Sequence, residues 1–331
     1  MSQHPPDDVA TVLSQIPAKV EEIKKELRKR ILGQEDLIDE MLVAILSRGH
    51  CLLIGVPGLA KTLLISTLGE IGKLKFNRVQ FTPDMMPSDI TGSEIIEKNH
   101  STGLREFKFI PGPIFTQLLL ADEINRTPPK TQAALLEAMQ EQQVTVAGKR
   151  YNLEKPFFVM ATQNPIEQEG TYPLPEAQLD RFMFCLNVDY PEFEHEVDIL
   201  LTTTQDTQED TNKVITAEEL IAAQAAVRHI PIPRSVAEFA THLVRATRPN
   251  QSGSSDLANK YIRWGAGTRA CQYLALAGKV FAALDGRLNV AREDIIRASY
   301  PVLRHRVIIN YRAEADGLSV ENIINELTQS L

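Results

Sequence analysis

The sequence is poor in the residues that would announce several large classes of protein. Cysteine occurs three times in 331 residues, at Cys51, Cys185 and Cys271, and the spacing suits no metal-ligand set. Cys51 and Cys185 lie in apolar runs, where buried reduced thiols belong, so a disulfide framework and a redox centre are both set aside. No stretch approaches the ~20 apolar residues of a membrane span. Met1 to Asp8 is polar and proline-bearing, without the apolar segment of a secretion signal, so the expected compartment is the cytoplasm. Aromatic residues make up 6% and the formal net charge is −8. That acidic balance argues against wholesale nucleic-acid binding, though not against a local basic patch. There is no internal repeat.

At 331 residues the chain exceeds what one compact core holds, so two domains are expected. The chain is organised around Gly55-Val56-Pro57-Gly58-Leu59-Ala60-Lys61-Thr62. This stretch follows the apolar run Cys51-Leu52-Leu53-Ile54 and precedes the helix-forming run Leu63 to Leu68. A strand, a glycine-bearing loop and a helix make a phosphate cradle, because loop N–H groups and the positive end of the helix dipole point at one spot. Lys61 can reach the β- and γ-phosphates of a nucleotide, and the Thr62 hydroxyl can ligate Mg²⁺. Ala60 stands where the pattern G-x-x-x-x-G-K-[ST] has glycine, which is tolerable at negative φ.

Two helices are expected before this loop, Ala18 to Ile31 and Glu35 to Leu46, preceded by a loose leader over residues 1–17. Strands are expected at Arg78 to Phe81, Leu118 to Glu123, Phe157 to Thr162 and Phe182 to Val188. A helix from Thr127-Pro128-Pro129 to about Gln142 would use Thr127 as its cap and the prolines at its first turn. Two hairpin insertions are expected, at about 93–110 around the loop Asn99 to Gly103, and at 143–153. Residues 1–190 thus read as an α/β nucleotide-binding core, 191–216 as a connection that is flexible over its polar part, and 217–331 as an all-helical domain.

Carboxylates are costly to bury, so Asp122 and Glu123 at the end of an apolar strand call for a cation or a task. Beside a phosphate loop, Asp122 would hold Mg²⁺, usually through water, and Glu123 would polarise the attacking water. Alone, the pair could simply mark a strand end. Asn164, also at a strand end, could bond the attacking water or the γ-phosphate, or simply form a turn before Pro165. Arg181 could be a salt-bridge partner or reach a neighbouring subunit's γ-phosphate. Arg269, in the first turn of a helix from Thr268, opposes the helix dipole; it could be a tolerated surface charge, or it could face a phosphate bound between the two domains.

The runs Gly55 to Thr62, Leu120-Ala121-Asp122-Glu123-Ile124-Asn125-Arg126, Ala161-Thr162-Gln163-Asn164-Pro165, Leu179-Asp180-Arg181-Phe182 and Gly265-Ala266-Gly267-Thr268-Arg269-Ala270 together resemble an AAA+ ATPase of the MoxR family. The similarity runs from about Ile31 to the C-terminal helix and includes Val302-Leu303-Arg304-His305-Arg306. It implies a P-loop αβα sandwich with a parallel sheet, followed by a helical lid. It also implies that Asn164 is sensor 1, Arg181 the arginine finger and Arg269 sensor 2. Gly33-Gln34 would lie near the adenine, and residues 55–63, ending at Leu63, would bind ATP. Family members act as rings, usually hexamers, that remodel client complexes with partners bearing a von Willebrand factor A domain. The readings held beside this are a nucleic-acid motor using Lys149, Arg150 and Lys155 on the second hairpin, a magnesium-chelatase-like motor subunit, and a scaffold that binds ATP without hydrolysing it.

Overall fold

A computed structural model describes residues 7–55, 61–98, 105–165, 170–203 and 209–331. Val56, Pro57, Gly58, Leu59 and Ala60, the Asn99–Gly103 loop and residues 1–6 of the leader lie outside these.

Five strands form the central sheet: β1 (Cys51–Gly55), β2 (Phe76–Gln80), β3 (Leu118–Asp122), β4 (Phe158–Gln163) and β5 (Phe184–Val188). Their order is β2-β3-β4-β1-β5 and every pairing is parallel. Covering helices bury both faces of a parallel sheet, so its strands read as near-continuous apolar runs. Successive residues face opposite layers. Leu118 and Leu120 join a cluster with the lid helices, and Leu119 and Ala121 join one with the helix Pro129–Glu141.

The first cluster continues from the core sheet into the lid without a break, through residues such as Val244, Leu274 and Ile295. The lid is built from the helices Ala217–Val227, Arg234–Ala246, Thr268–Leu284, Arg292–Leu303 and Val320–Ser330. Two further short helices, Asp256–Tyr261 and Tyr311–Ala315, and a ribbon pairing Ile262–Trp264 with Ile308–Ile309 interrupt the expected all-helical pattern.

Three other local differences have physical causes. The first helix is longer than expected, Asp7–Arg28, with Pro17 inside it. Leu13 and Ile16 continue the buried series Val20, Ile23, Leu27, so packing on the core carries the helix through the proline. Thr127 does not cap the helix Pro129–Glu141; Pro128 stands at its N-cap, and Gln132 Nε2 ties the turn together by donating to the carbonyls of Thr127, Ile124 and Tyr172. Within the expected connection, 193–203 forms a helix, and 209–216 is strapped to the first helix and the residues after it. Glu26 accepts the Asn212 N–H at 2.7 Å, and Lys19 and Arg30 donate to the carbonyls of Val214 and Glu209.

Both hairpins form, as Gly92–Lys98 with Arg105–Pro111 and Gln143–Val146 with Lys149–Asn152. They brace each other: Phe109 stacks on Tyr151 with centroids 3.9 Å apart, and Lys149 pairs with Glu94 at 2.9 Å.

Candidate active site

Parallel strands align their C-terminal ends, and in such sheets ligands bind beyond that edge. Here the register sets Gln80 opposite Asp122, Ala121 opposite Ala161, and Leu53 opposite Thr162. Strands β1 to β4 therefore deliver Gly55, Gln80, Asp122 and Thr162 to one edge. Gly55 is required by close approach, since a Cβ there would stand 2.7 Å from the Val188 carbonyl of β5.

The helix Lys61–Gly72 starts at this edge and carries no acid in its first turn, so its positive end is uncompensated. Lys61 Nζ donates to the Gly55 carbonyl at 2.6 Å. Burial pulls the Lys61 pKa below its ordinary value, and the nearby Asp122 and Glu123 carboxylates oppose that. The phosphate-loop lysine and the two strand-end acids thus share one electrostatic site.

Thr162 organises the acids. Its hydroxyl donates to Asp122 Oδ1 at 2.5 Å and accepts the Glu123 N–H at 2.9 Å. Arg78 pairs with Asp122 Oδ2 at 2.7 Å. Glu123 is in the left-handed region, φ 56 and ψ 48, which for a residue with a side chain costs about 1–2 kcal/mol. Such strain persists where the surroundings enforce it, often at functional sites. Gln80 Nε2 donates to Glu123 Oε2 at 2.6 Å, and Arg126 pairs with the same oxygen at 3.0 Å. Arg78, Gln80, Thr162 and Arg126 had no assigned part in the sequence reading. Arg78 and Gln80 are alternate residues of β2 on one face, a pairing visible only once β2 is known to neighbour β3.

Asn164 is buried one residue beyond β4, at the same edge. Among the described residues no cluster of three or more acidic, histidine or cysteine side chains could hold a metal ion. Mg²⁺ requires none, because it takes one or two protein oxygens and completes its shell with water and substrate phosphates. The hydroxyl of Thr62 and the carboxylate of Asp122 fit that hard-oxygen donor set.

Arg181 lines a surface cleft with Glu137, Glu141, Gln140 and Arg150, at the far end of the helix Pro129–Glu141. Its guanidinium has no hydrogen bond or ion pair with the described residues, although its carbonyl accepts the Tyr273 hydroxyl at 3.2 Å. Arg269 pairs with a carboxylate of the protein itself, Asp180: Nη1 to Oδ2 is 3.0 Å. Gly33 adopts φ +71 and packs so closely on His195 that a Cβ would come within 2.7 Å of that side chain. Gln34 is the N-cap of the helix Glu35–Leu46.

Residues 50–184 match the model of the ATPase family associated with various cellular activities (AAA), and 254–327 match that of the AAA lid domain. The protein is therefore an AAA+ ATPase-fold chain with its helical lid. It is 41% identical over 307 residues to Chaperone MoxR1 of Mycobacterium tuberculosis, across 92% of this chain and 80% of that relative. Identity to the protein YeaC of Bacillus subtilis is 40%, across 93% and 92% of the two chains. A candidate ATPase from Cytophaga hutchinsonii, solved by crystallography, superposes with a TM-score of 0.88 at 40% identity, over 98% of this chain and 97% of that one. The chain belongs to the MoxR family of AAA+ ATPases.

Proposed function

We propose that the protein hydrolyses ATP with Mg²⁺ and uses the cycle to move its lid against its core, driving chaperone-like remodelling of a client protein complex. The observation that carries this is the convergence of Lys61, Asp122 and the strained Glu123 on one sheet edge, braced by Thr162. Lys61 would hold the β- and γ-phosphates, with Thr62 and Asp122 as the magnesium oxygens. The metal would neutralise charge developing on the phosphoryl oxygens. Glu123 would take a proton from the attacking water and Asn164 would orient that water. Gly33, Gln34 and residues 55–63 would complete the nucleotide site.

Arg181 is the finger offered to a neighbouring copy, and its lack of an ion pair among the described residues supports that role. The expected assembly is a ring, usually a hexamer in this family, acting with a von Willebrand factor A-domain partner in the cytoplasm. A nucleic-acid motor finds less support, because Lys149 on the second hairpin is already paired with Glu94.

The test is ATP turnover by Glu123→Gln. Loss of a positioned base predicts a fall of about 10²–10⁴-fold with nucleotide binding retained. Unchanged turnover would remove Glu123 from the chemistry.

A further inference from the structure

Three cations meet where the lid rests on the core. Arg48 follows the C-terminal end of the core helix Glu35–Leu46, Arg228 caps the C-terminal end of the lid helix Ala217–Val227, and Lys279 stands on the lid helix Thr268–Leu284. Two hydrogen bonds tie these elements together. Gln224 Nε2 donates to the Ile45 carbonyl at 2.7 Å, and Lys279 Nζ donates to the Arg228 carbonyl at 2.8 Å. Arg48 and Arg228 stand about one turn beyond the first of these bonds, each on its own helix.

No acid answers the three charges. Among the described residues the side chains of Arg48 and Arg228 make no hydrogen bond or ion pair, and Lys279 makes no ion pair. Burial pulls the pKa of Arg48 and of Lys279 below the ordinary value, and the charge that adds to this in both is another cation, Arg228. Beside Arg48, the buried hydroxyl of Ser47 has no hydrogen-bond partner. Helix C-termini favour cations, and two such ends lie here. Two ends account for two cations. A third, close enough to repel, leaves positive charge that an anion would offset. Arg48 and Arg228 are exposed and Lys279 is half-buried, so the corner is open to solvent.

We infer that Arg48, Arg228 and Lys279 form a binding site for a phosphate group, which on binding fastens the lid to the core. A carboxylate brings one charge and a phosphate about two. The phosphate therefore better matches three cations, two of which carry the planar fork that binds its oxygens in pairs. The site is separate from the nucleotide's. Arg48 shortly precedes β1 and Lys61 follows it, so the whole strand, roughly 15 Å, lies between them.

The experiment is thermal unfolding of the full-length protein with inorganic phosphate titrated at constant ionic strength, chloride making up the balance. Phosphate can also enter the nucleotide site, so the titration is run in Lys61→Ala, alone and combined with Arg48→Gln, Arg228→Gln or Lys279→Gln. A ligand that binds only the folded state raises the melting midpoint with its concentration. A saturable rise is expected, with a Kd about tenfold weaker for each cation removed, through loss of a charge-assisted contact. The order of the midpoints should also reverse. Without phosphate, Arg48→Gln relieves repulsion and should melt at or above its parent; at saturating phosphate it should melt below. A cation that served only a helix end would instead lower the midpoint equally at every phosphate concentration. Glycerol phosphate in place of inorganic phosphate separates a phosphate ester from the free ion, and tighter binding of either supports the site and names the source. A midpoint that follows ionic strength alone, or an equal phosphate response in the cation variants, would overturn the proposal.

Discussion

Removing the Arg306 guanidinium should loosen the joint between lid and core more than any single surface change. Arg306 follows the lid helix Arg292–Leu303 and donates to Asp180 Oδ1 and to four backbone carbonyls, three of them in the 180–183 segment that leads into β5. At 5% exposure, little of this is screened by water. Methionine at 306 would fill much of the volume but leave the carboxylate and the carbonyls without their donor. Breaking a buried ion pair from one side typically costs about 3–5 kcal/mol, roughly two to four powers of ten in the folding equilibrium. Arg306→Lys keeps the charge but cannot reproduce the fork, so it should recover only a minor part. The assay is urea unfolding followed by circular dichroism and by fluorescence of Trp264. This tryptophan is the only one in the sequence and lines the crevice beside Arg306. A loss below about 1 kcal/mol for Arg306→Met, or full recovery with lysine, would show that the guanidinium fork does not hold lid and core together.

His50 provides a pH-dependent test. It is buried, accepts the Val159 N–H at Nδ1 and contacts the Met139 carbonyl through Nε2, so it is held as the neutral tautomer with the proton on Nε2. Burial lowers its pKa from 6.5 to about 4. At ~1.4 kcal/mol per unit, this amounts to about 3 kcal/mol, present above pH 6.5 and lost as pH falls through 4. The stability curve of His50→Gln should be flatter by about that amount over this window; parallel curves would contradict the assignment. For Arg181, mixing the inactive variants Arg181→Ala and Lys61→Ala should restore partial ATP turnover, because an intact finger can meet an intact loop across an interface. A finger acting in trans is worth ~10³–10⁵ in rate, so no recovery at any ratio would exclude it.

The apolar runs made the five strands legible, to within a residue or two at their ends, because a sheet buried on both faces leaves little room for polar residues. The hairpins followed from strand-like segments flanking glycine-bearing turns. The contacts that hold the site were not legible where they depend on strand order. Gln80 meets Glu123, 43 positions away, only because β2 lies beside β3. Arg269 shows both sides: a cation at a helix start is easier to understand beside an anion, but naming Asp180, 89 positions earlier, needs the docking of lid on core. The first helix begins at Asp7 rather than Ala18, although Pro17 inside it is a helix breaker in isolation. Packing of Leu13 and Ile16 against the core outweighs that local preference.

A nucleotide's phosphate chain is expected to be gripped between Lys61 and the Asp122–Glu123 pair. Titration calorimetry of the purified protein with ATP and Mg²⁺ tests it directly. Saturable binding is expected, weakened by at least about tenfold in Lys61→Ala through loss of a charge-assisted contact. No heat of binding, or equal affinity in Lys61→Ala, would contradict it.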